Sequence, residues 1–266
     1  MLQMFRTLVL LASISLFSCK AKDGIQNAAN STKNQWVSIF NGEDLGGWNV
    51  KIKGHPLNEN FANTFRVADG IMSINYDGYG NNFDSRFGAI YFDKKLTNYR
   101  LKLDYRFVGE TAPGAPAWGF KDSGVQFHSQ APESMDIDQG FPVCIEYNLH
   151  GGNGTEDRPG GQINTNGMYV EINGKLSKKN SNPPIVKKTF HDNQWITIEL
   201  DVKDGVISHF LNGEKILTYG NPVLNPEHKL AKTLIKQGET AVTSGYISFQ
   251  SNSHPIDFRN IELMEY

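Results

Sequence analysis

Apolar and polar positions alternate with a period of two along most of the chain beyond position 36. The alternation is clearest over 99–108. There Tyr99, Leu101, Leu103, Tyr105 and Phe107 share one face, and Arg100, Lys102, Asp104 and Arg106 share the other. That is the pattern of a strand with one face buried. Comparable runs occupy 36–40, 64–67, 71–75, 123–129, 142–150, 195–202, 206–211, 215–219, 245–250 and 256–264. Asn41-Gly42, Asp69-Gly70 and Asn212-Gly213 separate several of them, and such dipeptides favour tight hairpin turns. A helix is predicted only within 225–237, with Asn225 as cap and Pro226 at its first position. Two long loop-rich stretches, 77–86 and 151–163, interrupt the strands, and such loops are usually either functional or disordered. The predicted fold is all-β, an antiparallel β-sandwich or jelly roll in a single domain.

The first 35 residues follow a different pattern. Arg6 precedes an apolar run over 8–17, then Ser18 and Cys19. The run is too short to span a bilayer, which takes about 20 residues, so it reads as an export signal. A small residue followed by Cys after an apolar run resembles the lipobox of bacterial lipoproteins. On that reading residues 1–18 are removed, Cys19 carries lipid, and the polar stretch 19–35 tethers the domain at 36–266 to a membrane. The expected location is the bacterial cell envelope, on the outer membrane. Cys144 is the only other cysteine and is expected to be a small buried residue without a disulfide partner.

Composition narrows the function. The chain has 26 basic and 28 acidic residues, a formal charge of −2, which argues against a nucleic-acid binder. Aromatics at 11% and charged residues at 20% argue against a disordered chain.

Strand parity then locates chemistry. With Val125 and Phe127 turned into the core, Gln126 and His128 face outward. With Ile145, Tyr147 and Leu149 inward, Cys144, Glu146, Asn148 and His150 share the outer face. Ile247 and Phe249 inward leave Tyr246, Ser248 and Gln250 outside. These outward groups, with Arg106, are recognition and acid–base side chains, and none is Lys. They predict a polar cleft on a sheet face, suited to sugar hydroxyls, with Trp48, Tyr76, Tyr91 and Trp118 as candidate stacking rings. The run Asp136-Ile137-Asp138-Gln139-Gly140 lacks a full calcium-loop pattern and reads as a solvated loop.

Several segments carry a family resemblance. Residues 40–48 (FNGEDLGGW) resemble an "LFNG-x-DL-x-GW" opening, and Asp122-Ser123-Gly124-Val125 an "NSGI" strand with Asp in place of Asn. Cys144-Ile145-Glu146-Tyr147, Asn166-Gly167-Met168-Tyr169, Asn193-Gln194-Trp195, Phe210-Leu211-Asn212-Gly213 and Phe258-Arg259-Asn260-Ile261 follow in order. Together the chain from Trp36 onward resembles the 3-keto-disaccharide hydrolase family. The resemblance implies a concanavalin-like jelly roll and cleavage of glycosides already oxidised at sugar carbon 3. One departure is Gln250-Ser251-Asn252-Ser253-His254, where the family often carries Gln-Asp-His-Gly.

A ketone at C3 acidifies the C2 proton, so a base can start a β-elimination at C1, with water adding afterwards. Glu146 is the expected base or metal ligand, with His128 and His254 as acid–base or metal-binding groups. Arg106, Gln126, Asn148, His150, Tyr169, Gln250 and Trp48 are expected to bind substrate. Glu146, His128 and His254 are also the set that a divalent cation would take, although no ligand motif such as His-Glu-x-x-His marks one. The alternative from another class is a carbohydrate-binding module without chemistry of its own, and a third is a structural lipoprotein of a surface assembly.

Overall fold

The computed structural model describes residues 33–266. The expected signal segment, the lipid attachment at Cys19 and nearly all of the tether lie outside the described residues. In chain order the strands are β1 (Val37–Ser38), β2 (Trp48–Ile52), β3 (Phe65–Ala68), β4 (Ile71–Ile74), β5 (Gly88–Phe92), β6 (Tyr99–Phe107), β7 (Asp122–Ser129), β8 (Cys144–His150) and β9 (Ile163–Asn166). They continue as β10 (Met168–Ile172), β11 (Lys175–Ser177), β12 (Ser181–Asn182), β13 (Ile196–Lys203), β14 (Val206–Leu211), β15 (Glu214–Leu224), β16 (Tyr246–Ser251) and β17 (Ile256–Glu265). One sheet runs β11-β10-β15-β14-β13-β6-β17-β4-β3, with β1 added beside β17, and the other runs β12-β9-β8-β7-β16-β5-β2.

Both sheets are antiparallel, and the apolar faces of their strands meet in one core. Tyr99, Leu101, Leu103, Tyr105 and Phe107 of β6 are buried there, with Phe127, Ile145, Tyr147 and Phe249 from the second sheet. The polar face of β6 is paired across strands: Lys102 Nζ lies 2.7 Å from Glu262, and Arg259 lies 3.2 Å from Asp104. The two-residue turns form where expected, since Asp69 and Gly70 (φ 52° and 74°) and Asn212 and Gly213 (φ 48° and 81°) all take left-handed backbone.

The helix is shorter than the sequence suggests. α1 (Lys229–Leu234) is capped by His228, whose Nδ1 accepts from the Ala231 N–H at 3.3 Å. Asn225 instead closes the preceding turn by accepting from the Glu227 N–H at 2.9 Å.

The connection between β7 and β8 positions the site. It folds across the outer side of β5 and β2, so both faces of β5 are buried. Tyr91 donates to the Met135 sulfur at 3.2 Å, and Lys51 donates to the Ile137 carbonyl at 2.9 Å. The side chains of Asp136 and Asp138 stay exposed, as a solvated loop requires, while the backbone between them covers Lys51. The outer face of β9, β8, β7 and β16 borders on cavities instead.

Candidate active site

Register sets the site. Asn164 of β9 stands opposite Glu146 of β8, Glu146 opposite Gln126 of β7, and Gln126 opposite Ser248 of β16. These four side chains therefore form one row across the outer face. Asn164 Nδ2 donates to Glu146 Oε1 at 3.1 Å, and Asn148 Nδ2 donates to the same oxygen at 3.2 Å. Gln126 Nε2 approaches Glu146 Oε2 at 3.4 Å, and Ser248 donates to Gln126 Oε1 at 2.9 Å, which fixes that amide's orientation.

The carboxylate needs room, and Gly124 supplies it. A Cβ at position 124 would lie 2.4 Å from Cγ and Cδ of Glu146. The glycine of the Asp122-Ser123-Gly124 motif is thus a seat for the Glu146 side chain, not a turn.

Glu146 is 6% exposed. Burial raises its pKa from the ordinary 4.5 to about 7, and the charge of Asp122 adds to the rise, while the amides of Asn148, Asn164 and Gln126 oppose it. A cavity of about 200 Å³ opens at this carboxylate, with Gln126, Asn164, Asn166, Gln250, Cys144 and Phe141 on its walls. Gln250 Oε1 and Asn148 Oδ1 are buried with no hydrogen-bond partner. Such acceptors suit hydroxyl donors from a ligand. Cys144 is buried as expected, and burial followed by the nearby Glu146 charge pushes its thiol pKa up, so it is no nucleophile.

A second cavity, about 660 Å³, lies further along β8. Asn148 links the two sites, because its Nδ2 also approaches Asp122 Oδ1 at 3.4 Å. Asp122 accepts from Asn252 at 3.0 Å and contacts His150 Nε2 at 3.0 Å, with Arg158 at 3.8 Å. Its oxygens are so fully engaged that it serves to hold neighbours and to raise the proton affinity of Glu146. His150 Nδ1 contacts the Pro159 carbonyl at 3.2 Å, so both its ring nitrogens face acceptors.

Glu146, Gln126, Asn148 and Gln250 come together as parity predicts, with His150 one cavity away. The remaining expected groups do not join them. β7 bulges against β16 between Gln126 and Ser129, where His128 takes φ 47°. The extra residue reverses parity, and His128 turns away to cavities lined by Val242 and Thr243. Burial lowers its pKa to about 4. Gly245 permits the bulge, since a Cβ there would lie 2.3 Å from the His128 carbonyl carbon.

His254 is 1% exposed, wedged between Phe107 and Phe120, with Nδ1 2.7 Å from Thr111 Oγ1. Burial, then the charges of Lys121 and Arg158, lower its pKa to about 4. Arg106 and Tyr169 belong to strands of the other sheet, where Arg106 Nε donates to Asp257 at 2.9 Å and Lys178 sits over the Tyr169 ring. Trp48 is a core residue packed on Phe92 and Phe249, its N–H donating to the Ile39 carbonyl at 3.1 Å. Tyr76 and Tyr91 are buried too, and only Trp118 of the four candidate rings is exposed.

The expected cation set fails the same test. His128 and His254 are not at the Glu146 cavity, and the groups that fill the Glu146 oxygens are amide donors. Among the described residues no group of three or more His, Cys, Asp or Glu side chains could hold a metal ion.

Asn164, Asp122 and Arg158 belong to the site without being marked as candidates by strand parity. Asn164 sits in the short polar run Ile163–Asn166, whose alternation of buried and half-buried residues emerges only in the fold. Asp122 was visible as the acidic replacement in its motif. Nothing in the 151–163 loop distinguishes Arg158.

The model of a family described as the 3-keto-alpha-glucoside-1,2-lyase-like domain matches residues 35–264. Among solved structures, the chain is similar to a "putative glycosyl hydrolase" from Parabacteroides distasonis ATCC 8503, at 21% identity. That match covers 88% of this chain and 100% of the other, with a TM-score of 0.51. A second structure of that description and organism matches at 17% identity, again over 88% and 100% of the two chains, with a TM-score of 0.51. A Bacillus subtilis protein of unknown function with a galectin-like fold matches at 10% identity, over 88% of this chain and 96% of the other, with a TM-score of 0.50. At these identities the likeness is one of fold. No curated protein matches the chain.

Proposed function

Because the chain belongs to the family of 3-keto-alpha-glucoside-1,2-lyase-like domains, we propose that it is an enzyme cleaving glycosides that carry a ketone at C3, with Glu146 as the base. The observation that carries this reading is a buried carboxylate, with a pKa of about 7, seated over Gly124 and opening on a cavity walled by amides.

The chemistry follows from those groups. Glu146 takes the C2 proton, and the C2–H electron pair forms the enolate of the C3 ketone. Amide N–H groups of Gln126, Asn164, Asn166 or Gln250 can donate to the enolate oxygen, stabilising charge where it develops. The enolate then collapses, the C1–O bond breaks, and its electron pair leaves on the aglycone oxygen. Protonated Glu146 holds a proton that this oxygen can take. Water adds at C1 and a proton returns to C2, so the sum is hydrolysis. A base with pKa near the working pH is the efficient choice for this step.

Paired carboxylates are the usual equipment for direct glycoside hydrolysis. Asp122 is the second carboxylate here, but hydrogen bonds engage both its oxygens, and it faces the other cavity. That favours elimination over direct displacement.

Incubation of the purified protein with methyl 3-keto-glucoside, followed by NMR, tests the reading. Release of methanol and 3-keto-glucose is expected, and unchanged substrate would remove the activity. The exposed ring of Trp118 also suits a glycan-binding module, for which the same glycoside would bind and remain intact.

The lipid anchor extends the proposal to location. Cells grown with an alkyne fatty acid are expected to label the full-length protein, and Cys19→Ala to lose the label. A labelled Cys19→Ala protein would contradict attachment at that residue.

A further inference from the structure

The two cavities are joined by two kinds of surface. Along β8, the same-face side chains Glu146, Asn148 and His150 are two residues apart. Glu146 and His150 are therefore separated by about 13 Å at the usual strand rise, the reach of two linked sugar rings. Beside them runs a row of aromatic rings. Phe141, on the wall of the smaller cavity, packs on Phe87 at 4.9 Å, and Phe87 stacks on Trp118 at 5.5 Å and 16°. Trp118 reaches the larger cavity and is 52% exposed, so one ring face is covered by Phe87 and the rest is open.

Arg158 holds this arrangement in place. Its guanidinium donates to the carbonyls of Phe120, Gly151 (3.0 Å) and Trp118 (3.3 Å), and it lies over the Phe120 ring. It thus ties the loop after β8 to the turn before β7 that carries Trp118. Because its donors go to backbone carbonyls, it has little left for an anionic ligand. The cavity wall otherwise presents Glu156 as an acceptor, beside an Asp122 whose oxygens are already engaged.

We propose that the larger cavity is the leaving-group subsite, and that it takes an uncharged sugar ring stacked on the open face of Trp118. This rests on the reading of Glu146 as the base, which puts the ketone-bearing ring in the smaller cavity. The Glu156 carboxylate accepts a hydroxyl of the second ring, and the aromatic face covers its C–H surface. Trp118 then determines specificity, and Arg158 is a positioning residue.

Binding to the Glu146→Gln protein is the test, because it does not depend on turnover. Three ligands are titrated: methyl 3-keto-glucoside, a 3-keto-disaccharide with a neutral second ring, and one whose second ring is a uronic acid. Trp118→Ala on that background is expected to weaken the neutral disaccharide about tenfold, the scale of one aromatic contact, and to leave the methyl glycoside unchanged. Trp118→Phe should restore most of the loss, and the uronic acid should bind more weakly than the neutral ring. Equal losses on methyl glycoside and disaccharide, no loss on either, or preference for the uronic acid would overturn the assignment. If the native protein turns nothing over but the binding pattern holds, the chemistry assigned to Glu146 fails and the subsite stands.

Discussion

Replacing Glu146 by Gln is expected to lower kcat on methyl 3-keto-glucoside by about three orders of magnitude, within the range that a general base contributes. Binding of the unreacted ketone should stay within a few-fold of the native protein, since the amides of Gln126, Asn164 and Gln250 remain. The acid limb of the native pH–rate profile should fall near pH 7, where the carboxylate loses its proton. Unimpaired turnover by the Gln variant would remove Glu146 from the chemistry.

The same substitution carries a stability signature. Glu146 keeps its proton to about pH 7 in the folded protein, against 4.5 for the unperturbed group. Between these values the folded state binds more protons than the unfolded state. Stability is therefore fully present below the lower pKa and declines as pH rises through the higher one, by on the order of 3 kcal/mol. Gln does not titrate. The Tm of Glu146→Gln relative to the native protein is expected to climb from pH 5 to pH 8. The gain is smaller than the full linkage value, because pH 5 already lies above the unperturbed pKa. A flat difference across that range would contradict a carboxylate held neutral by burial.

The second large effect is expected from Gly124→Ala. The new Cβ would fall 2.4 Å from Cγ and Cδ of Glu146, so the carboxylate must leave its seat between Asn148, Asn164 and Gln126. The backbone of β7 keeps its pairing with β8, and the apolar side chains of Val125 and Phe127 face the core undisturbed. Turnover should therefore fall about a hundredfold, the scale at which a small misplacement of a reacting group is felt. Circular dichroism should be unchanged and the Tm loss small. Full activity in the Ala variant would show that the observed seat is not the working position of Glu146.

Strand parity made half of this site legible. Val125, Phe127, Ile145, Tyr147 and Leu149 announce their inward face, and Gln126, Glu146 and Asn148 then face outward together. Parity holds only while the ladder is regular, which is why it misplaces His128: one bulged residue, unmarked in the sequence, turns the imidazole to the other side. Alternation also cannot tell which sheet a strand joins. Arg106 and Tyr169 have suitable side chains and the correct outward parity, but on the sheet away from Glu146. His254 lies beyond the end of β16, where no period applies, and Phe107 and Phe120 enclose it. Trp48 illustrates a different limit, since a large aromatic at a strand start is as well suited to the core as to a ligand. Asn164 and Arg158 become meaningful only through register and loop contact, which are long-range facts of the fold.

Deuterium at C2 of the product tests the central claim most directly. The reaction is run in heavy water on a 3-keto-glycoside and read by NMR before spontaneous exchange of the ketone. If Glu146 removes the C2 proton, the released 3-keto sugar carries deuterium at C2, and the Glu146→Gln protein yields neither product nor exchange. Release of a sugar that retains its original C2 hydrogen would mean that the bond at C1 breaks without an enolate and that Glu146 is not a base at C2.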